Sequence, residues 1–115
     1  MSISYKGFND KQLTFKISGT VAENTPVKLS ANDTVSACSD GDEFIGVAVQ
    51  ARNGLVAVQM SGAVTLPYSG STAPSAGYVS LAADGEGGVK VPASGGKKAL
   101  AVNVDTTAQT VTFIY

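Results

Sequence analysis

Residues with the chemistry for catalysis are scarce in this chain. There is no histidine among its 115 residues, and general acid–base catalysis most often uses histidine or paired carboxylates held in a pocket. The only acidic cluster is Asp40, Asp42 and Glu43, whose spacing is faintly similar to that of a calcium-binding loop. The glycine and the distal glutamate that an EF-hand requires are misplaced here. A solvated turn is therefore the favoured interpretation of this cluster.

The chain has a single cysteine, Cys38, so it cannot form an intramolecular disulfide. Cys38 lies in a short strand-like stretch, where cysteine behaves as a small hydrophobic residue. A nucleophilic cysteine needs an activating group such as an imidazole, and this chain supplies none. No Cys/His pattern typical of a zinc or iron site is present either. We expect Cys38 to be inert, and we predict no catalytic residues, no metal site and no cofactor.

Four tyrosines are the remaining candidates for ligand binding: Tyr5, Tyr68, Tyr78 and Tyr115. Each could stack on a ligand, but each stands alone, at the end of an apolar run or in the N-terminal segment. The chain also has no tryptophan. Packing at the edge of a core is the favoured interpretation for the tyrosines, so the sequence predicts a protein that is not an enzyme.

Composition and charge exclude two classes of partner. The net charge is −1, only 15% of residues are charged, and the eight basic residues are scattered along the chain. Binding to nucleic acid requires clustered lysine and arginine, so it is not expected. No apolar run approaches the roughly 20 residues that span a bilayer, so no membrane association is expected. The N-terminus lacks the apolar core of a secretory signal, which predicts synthesis and retention in a cytoplasm.

The elements that must position these residues are predicted to be strands. Leu13, Phe15 and Ile17 alternate with polar residues, which is typical of a half-buried strand. Asn53-Gly54 between two apolar runs is a strong hairpin signal. Short strands recur at intervals of about 8–12 residues with turn residues between them. We therefore predict an all-β protein, folded as a compact antiparallel β-sandwich or barrel.

The second half of the chain repeats the hydrophobic pattern of the first, at an offset that drifts from 52 to 55 residues. The matched segments are 27–29 with 79–81, 35 with 89, 44–49 with 99–104, and 55–58 with 110–113. This pattern predicts two pseudo-repeated four-strand units. We place them at about 25–66 and 77–115, joined by a loop at 67–76, within a single β domain spanning 13–115.

Residues 1–12 are predicted to be an extended N-terminal arm. Apolar and basic side chains that could grip a partner are interspersed with breakers in this segment: Ile3, Tyr5, Lys6, Phe8 and Lys11. A disordered terminus or an ordinary first edge strand would have the same composition, so these interpretations stay open.

Taken together, the segments resemble small β-rich head-decoration (capsid cement) proteins, which tailed phages encode beside the major capsid gene. The resemblance covers nearly the whole chain and rests on the order and spacing of its motifs: SYKGFN at 4–9, LTF at 13–15, TPVKLSAN at 25–32, FIGVAV at 44–49, RNG at 52–54, GAVTLPYSG at 62–70 and GYVSLAADG at 77–85.

The resemblance implies a structural role with no catalytic residues. Such a protein would be made in the cytoplasm of a bacterial host and would bind the major capsid protein on the outside of the virion head. It would commonly be a homo-oligomer, with a trimer favoured. We expect the arm to add a strand to an exposed sheet edge of the capsid protein. The expected loop contacts are Tyr68, Ser69, Pro74 and Tyr78.

Two other functions compete with this one. A carbohydrate- or receptor-binding β module on a virion or cell surface could line a shallow site with Ser/Thr/Asn-rich loops and Tyr68 or Tyr78, although the absence of tryptophan weighs against it. A structural domain of a larger assembly, such as a tail or spike, would need no site at all.

Overall fold

The protein is all-β, as predicted. The computed structural model describes residues 11–115, and within them there are ten strands and no helix. The strands are β1 (Lys11–Ile17), β2 (Pro26–Ala31), β3 (Thr34–Ala37), β4 (Gly46–Arg52), β5 (Leu55–Ser61), β6 (Ala63–Ser69), β7 (Gly77–Ala83), β8 (Val89–Lys90), β9 (Lys97–Asp105) and β10 (Thr110–Ile114).

The strands form two closed five-stranded barrels with the same topology. Barrel 1 has the strand order β1-β3-β2-β4-β5, and barrel 2 has the order β6-β8-β7-β9-β10. In each barrel the first and third strands pair in parallel, and the other neighbours are antiparallel. The two-unit fold is thus confirmed. Each unit has five strands rather than the four expected, and each contains one parallel pair within an otherwise antiparallel barrel.

The boundary between the units differs from the predicted one. Residues 63–66 were expected to end the first repeat and 67–76 to be a linking loop, but β6 pairs with β10 in barrel 2. Gly62 alone separates β5 from β6. The alternation of side chains identifies the faces of a strand but not its partner, which explains the difference.

The start of the first strand also differs from expectation. Lys11 and Gln12 were assigned to the arm, but they belong to β1 and pair with Ser61 and Gln59 of β5. The rest of the predicted arm, residues 1–10, lies outside the described residues. Barrel 1 is therefore completed by β1, which the repeat pattern did not include.

A β-bulge recurs at the same place in both barrels. In β4 the pairing with β5 skips Val49, and in β9 the pairing with β10 skips Val102. Ala48, Val49 and Gln50 therefore correspond to Ala101, Val102 and Asn103. This offset of 53 residues is two fewer than the hydrophobic pattern suggested for this strand. A bulge re-aims a strand locally, so its recurrence shows that the repeat extends to the backbone geometry.

Two apolar cores hold the molecule together, and the larger one crosses between the barrels. Val47 and Ala48 are successive residues of β4, so their side chains face opposite sides of the sheet. Ala48 packs in the core of barrel 1, whereas Val47 packs in the core of barrel 2. Phe44 joins it there, with its ring edge-on to Phe113 at 6.2 Å. The barrels are therefore packed against each other as one body.

Candidate binding surfaces

The acidic cluster fastens the two barrels together. The Asp42 carbonyl accepts a hydrogen bond from the Ala83 amide at 2.9 Å, and the Gly41 amide donates to the Ala83 carbonyl at 2.8 Å. Asp40 forms an ion pair with Lys90 of barrel 2 at 2.7 Å. Across residues 11–115, no group of three acidic or cysteine side chains is arranged to hold a metal ion.

The Asp42 carboxylate organises its own turn. It accepts hydrogen bonds from Lys28 Nζ at 2.7 Å and from the Ser39 amide at 2.8 Å. These two hydrogen bonds hold the pKa of Asp42 below its ordinary value of 3.8, and the bond from Lys28 has the larger effect. The same bond and the negative charge of Asp42 raise the pKa of Lys28. This part of the cluster is a structural turn.

Cys38 is half-buried against the larger core. Burial raises the pKa of its thiol to about 11, and the nearby Asp42 carboxylate adds to the shift. The thiolate is the reactive form of cysteine, so Cys38 is a poor nucleophile at neutral pH.

Two of the four expected loop contacts are buried. Tyr68 is only 7% exposed and belongs to the core of barrel 2, and Pro74 is also buried. Tyr68 shares its strand face with Leu66 because the residues are two apart in β6, a period that the sequence already showed. Ser69 is exposed and donates a hydrogen bond to Asp84 at 2.9 Å. Tyr78 is 75% exposed. This corrects the expected loop surface, which retains only Ser69 and Tyr78.

The candidate arm residues fall almost entirely outside the described part of the chain. Ile3, Tyr5, Lys6 and Phe8 are in residues 1–10. Lys11, the fifth candidate, is exposed at the first position of β1.

One outward surface of barrel 1 combines positive charge with exposed apolar area. Leu55 of β5 lies between Lys16 of β1 and Arg52 of β4 in the strand register, and it is 47% exposed. The adjacent row places Ala57 between Thr14 and Gln50. We call these six residues the basic face.

The two cations of the basic face form no ion pair within the described chain. Neither Lys16 nor Arg52 takes part in any of the ion pairs found among residues 11–115. A shallow depression of about 280 Å³ runs over this face.

Sequence analysis missed the basic face because Lys16 and Arg52 are far apart along the chain. The alternation in β1 did indicate that Lys16 points outward.

A second surface lies on barrel 2 and is mainly apolar. Tyr78, Leu100 and Ile114 are direct neighbours across β7, β9 and β10. We call these three residues the tyrosine row. They line a depression of about 520 Å³. Lys98 lies over the Tyr78 ring, with its Nζ 4.9 Å from the ring centroid. A cation over an aromatic face is attracted by the ring quadrupole, so the Lys98 ammonium favours this position of the exposed Tyr78 ring.

Comparison with known proteins adds no identification. No protein-family model matches the chain, and no curated protein sequence matches it. The described residues include no helix that is long and apolar enough to cross a membrane.

Proposed function

We propose that this protein binds the outside of an assembled phage head and stabilises its capsid lattice. The observation that carries the proposal is the basic face, which presents an exposed leucine between two cations on a rigid barrel. The resemblance of nearly the whole chain to head-decoration proteins supports the same function.

The composition of the basic face suits a protein partner. Protein interfaces are enriched in arginine and usually have an apolar centre with a polar rim. Lys16 and Arg52 would favour an acidic, partly apolar surface such as a seam between capsid subunits. The face is built on hydrogen-bonded strands, so binding would order little of the backbone and would lose little conformational entropy.

The arm would enlarge the same contact. Lys11, which the predicted arm included, and Lys16 of the basic face lie on β1, about 17 Å apart along the strand. An arm that adds a strand to a capsid sheet edge and a barrel face that grips the neighbouring subunit would together bridge a seam. Linked contacts act at high effective concentration, so individually weak contacts would still resist separation of the subunits.

The test is co-sedimentation with expanded heads of a tailed phage that encodes this protein. A double variant, Arg52→Glu with Leu55→Asp, removes the apolar centre and reverses one charge. We expect it to bind at least about 100-fold more weakly, the order of loss when an interface centre is disrupted. The matched control is Leu29→Asp, which adds a charge at another exposed leucine of barrel 1 and should bind normally. Equal affinity of both variants and the unmodified protein would refute the role of the basic face.

A carbohydrate- or receptor-binding module is the second candidate, favoured by the exposed Tyr78 beside a depression. A glycan array separates the two functions. Saturable binding to heads without any glycan signal supports decoration, and specific glycan binding without head binding supports the alternative.

A further inference from the structure

We propose that copies of this chain associate head to tail through surfaces equivalent, in strand register, to those that join the two barrels within one molecule. The tyrosine row of one copy would dock on the open end of barrel 1 in the next copy. This inference comes from comparing the two barrels and does not depend on the proposed function.

The tyrosine row has a counterpart in barrel 1. There, Pro26, Val47 and Gln59 are direct neighbours across β2, β4 and β5. The corresponding strands of barrel 2 place Tyr78, Leu100 and Ile114 at the same register positions. The next neighbours also correspond, since Gln59 pairs with Gln12 and Ile114 pairs with Ala63.

The row in barrel 1 is buried at the inter-barrel interface. Val47 is 1% exposed and packs into the core of barrel 2. Gln59 is 7% exposed, and its carbonyl accepts a hydrogen bond from the Tyr115 hydroxyl at 2.6 Å. The Gln59 side-chain amide donates to the Ala63 carbonyl at 3.4 Å. This surface of barrel 1 is therefore covered by barrel 2.

The same surface of barrel 2 is uncovered and more apolar. Tyr78 is 75% exposed, and Leu100 and Ile114 are only half-buried. The three side chains line a depression of about 520 Å³. A rigid aromatic residue beside aliphatic neighbours is typical of an interface centre.

The surface that would receive the tyrosine row is also present and uncovered. In barrel 2, Val64 pairs with Phe113 and packs against the larger core, which includes Phe44 and Val47. The same register position in barrel 1 is Leu13, which pairs with Val58 and is 57% exposed. Among residues 11–115, therefore, nothing covers this end of barrel 1 in the way that barrel 1 covers the equivalent end of barrel 2.

Each molecule therefore has both surfaces that the contact between copies needs. The tyrosine row is on barrel 2, and the surface that would receive it is on barrel 1. An interface between two different surfaces is heterologous, and it forms a closed ring if the rotation between copies closes, or an open chain if it does not. The second copy is the occupant that fits because the register-equivalent pair of surfaces, the row of barrel 1 and the end of barrel 2, is already joined within each chain.

Cross-linking tests this arrangement directly. The intramolecular contact of Gln59 with Ala63 corresponds, between copies, to Ile114 of one chain against Gln12 of the next. Gln12→Cys and Ile114→Cys are made separately in a Cys38→Ala background and treated with a short bis-maleimide. We expect covalent dimers only when the two proteins are mixed. Dimers of Ile114→Cys alone, or no dimers in the mixture, would overturn the proposal. A mixture of Leu29→Cys with Ile114→Cys is the control and should give none.

Sedimentation of the free protein provides an independent test. We expect self-association that weakens about 30-fold in Tyr78→Asp, the order of loss for an aromatic residue at an interface centre. Leu29→Asp, an exposed control outside both surfaces, should leave it unchanged. A protein that stays monomeric up to about 1 mM, the weak end of the ordinary affinity scale, would contradict the proposal.

Discussion

Phe44 gives the sharpest prediction about how the two barrels are held together. It is 1% exposed, and its ring meets those of Phe113 and Tyr115 edge-on at 6.2 and 6.3 Å. Replacing a buried phenylalanine by alanine costs about 3–5 kcal/mol. Each lost ring pair accounts for about 0.5–1.5 kcal/mol beyond area burial, which favours the upper half of that range. We expect Phe44→Ala to lower the free energy of unfolding by about 4 kcal/mol.

Urea unfolding followed by far-ultraviolet circular dichroism and by tyrosine fluorescence measures this loss. With a slope of about 2 kcal/mol per molar, the midpoint should fall by about 2 M. Leu29→Ala, at a residue that is 54% exposed, should change stability by less than about 0.5 kcal/mol. In the unmodified protein the two signals should coincide, since one packed body unfolds as a single unit. A loss below about 1 kcal/mol for Phe44→Ala, or two separate transitions in the unmodified protein, would refute this reasoning.

Two further variants test the turn and the strand beside Phe44. The pKa of Asp42 is lowered in the folded state, so its contribution to stability is present above pH 3.8 and is lost as the pH falls through the native value. Asp42→Asn should therefore be less stable than the unmodified protein at pH 7, and the difference, measured by urea unfolding, should shrink steadily as the pH is lowered below 3.8; a difference that does not shrink below pH 3.8 would contradict this. A Cβ at Gly46 would collide with the Gln59 carbonyl oxygen, so Gly46→Ala should lose about 1–3 kcal/mol as an overpacked site. An unchanged thermal midpoint for Gly46→Ala would show that β4 and β5 can separate.

Local patterns in the sequence were enough to predict the elements of the fold. The hairpin expected at Asn53-Gly54 joins β4 to β5, and both residues have positive φ, at 54° and 77°. Such backbone angles are what a two-residue type I′ turn requires and what Asn-Gly supplies most readily. The repeat was also visible in the sequence, because both barrels need an apolar residue at each equivalent core position. Val35 and Val89 are such a pair, and both are fully buried.

The partners of the strands could not be predicted in the same way. The parallel pairs β1–β3 and β6–β8 join segments that are distant along the chain, and a period of two does not select between possible neighbours. The predicted repeats therefore lacked β1, and residues 63–66 of β6 were assigned to the first repeat instead of the second. The predicted match between β4 and β9 was also displaced by two residues, because a shift of two leaves every side chain on the same face of the strand and so preserves the apolar alternation.

The surfaces were the least accessible to sequence reasoning. Tyr68 and Tyr78 look alike in the sequence, yet one is buried and the other is exposed. Arg52 lies beside Leu55 only because a hairpin brings β4 next to β5, and Lys16 joins them only because β1 closes the barrel. Barrel closure is a non-local event, so no window of the sequence contains the basic face.

Cryo-electron microscopy of expanded heads mixed with the purified protein tests the central claim most directly. We predict ordered density on the head exterior at saturation, with Lys16, Arg52 and Leu55 of barrel 1 facing the capsid protein. Heads that stay bare at saturating protein, or density in which the basic face points away from the shell, would contradict the account.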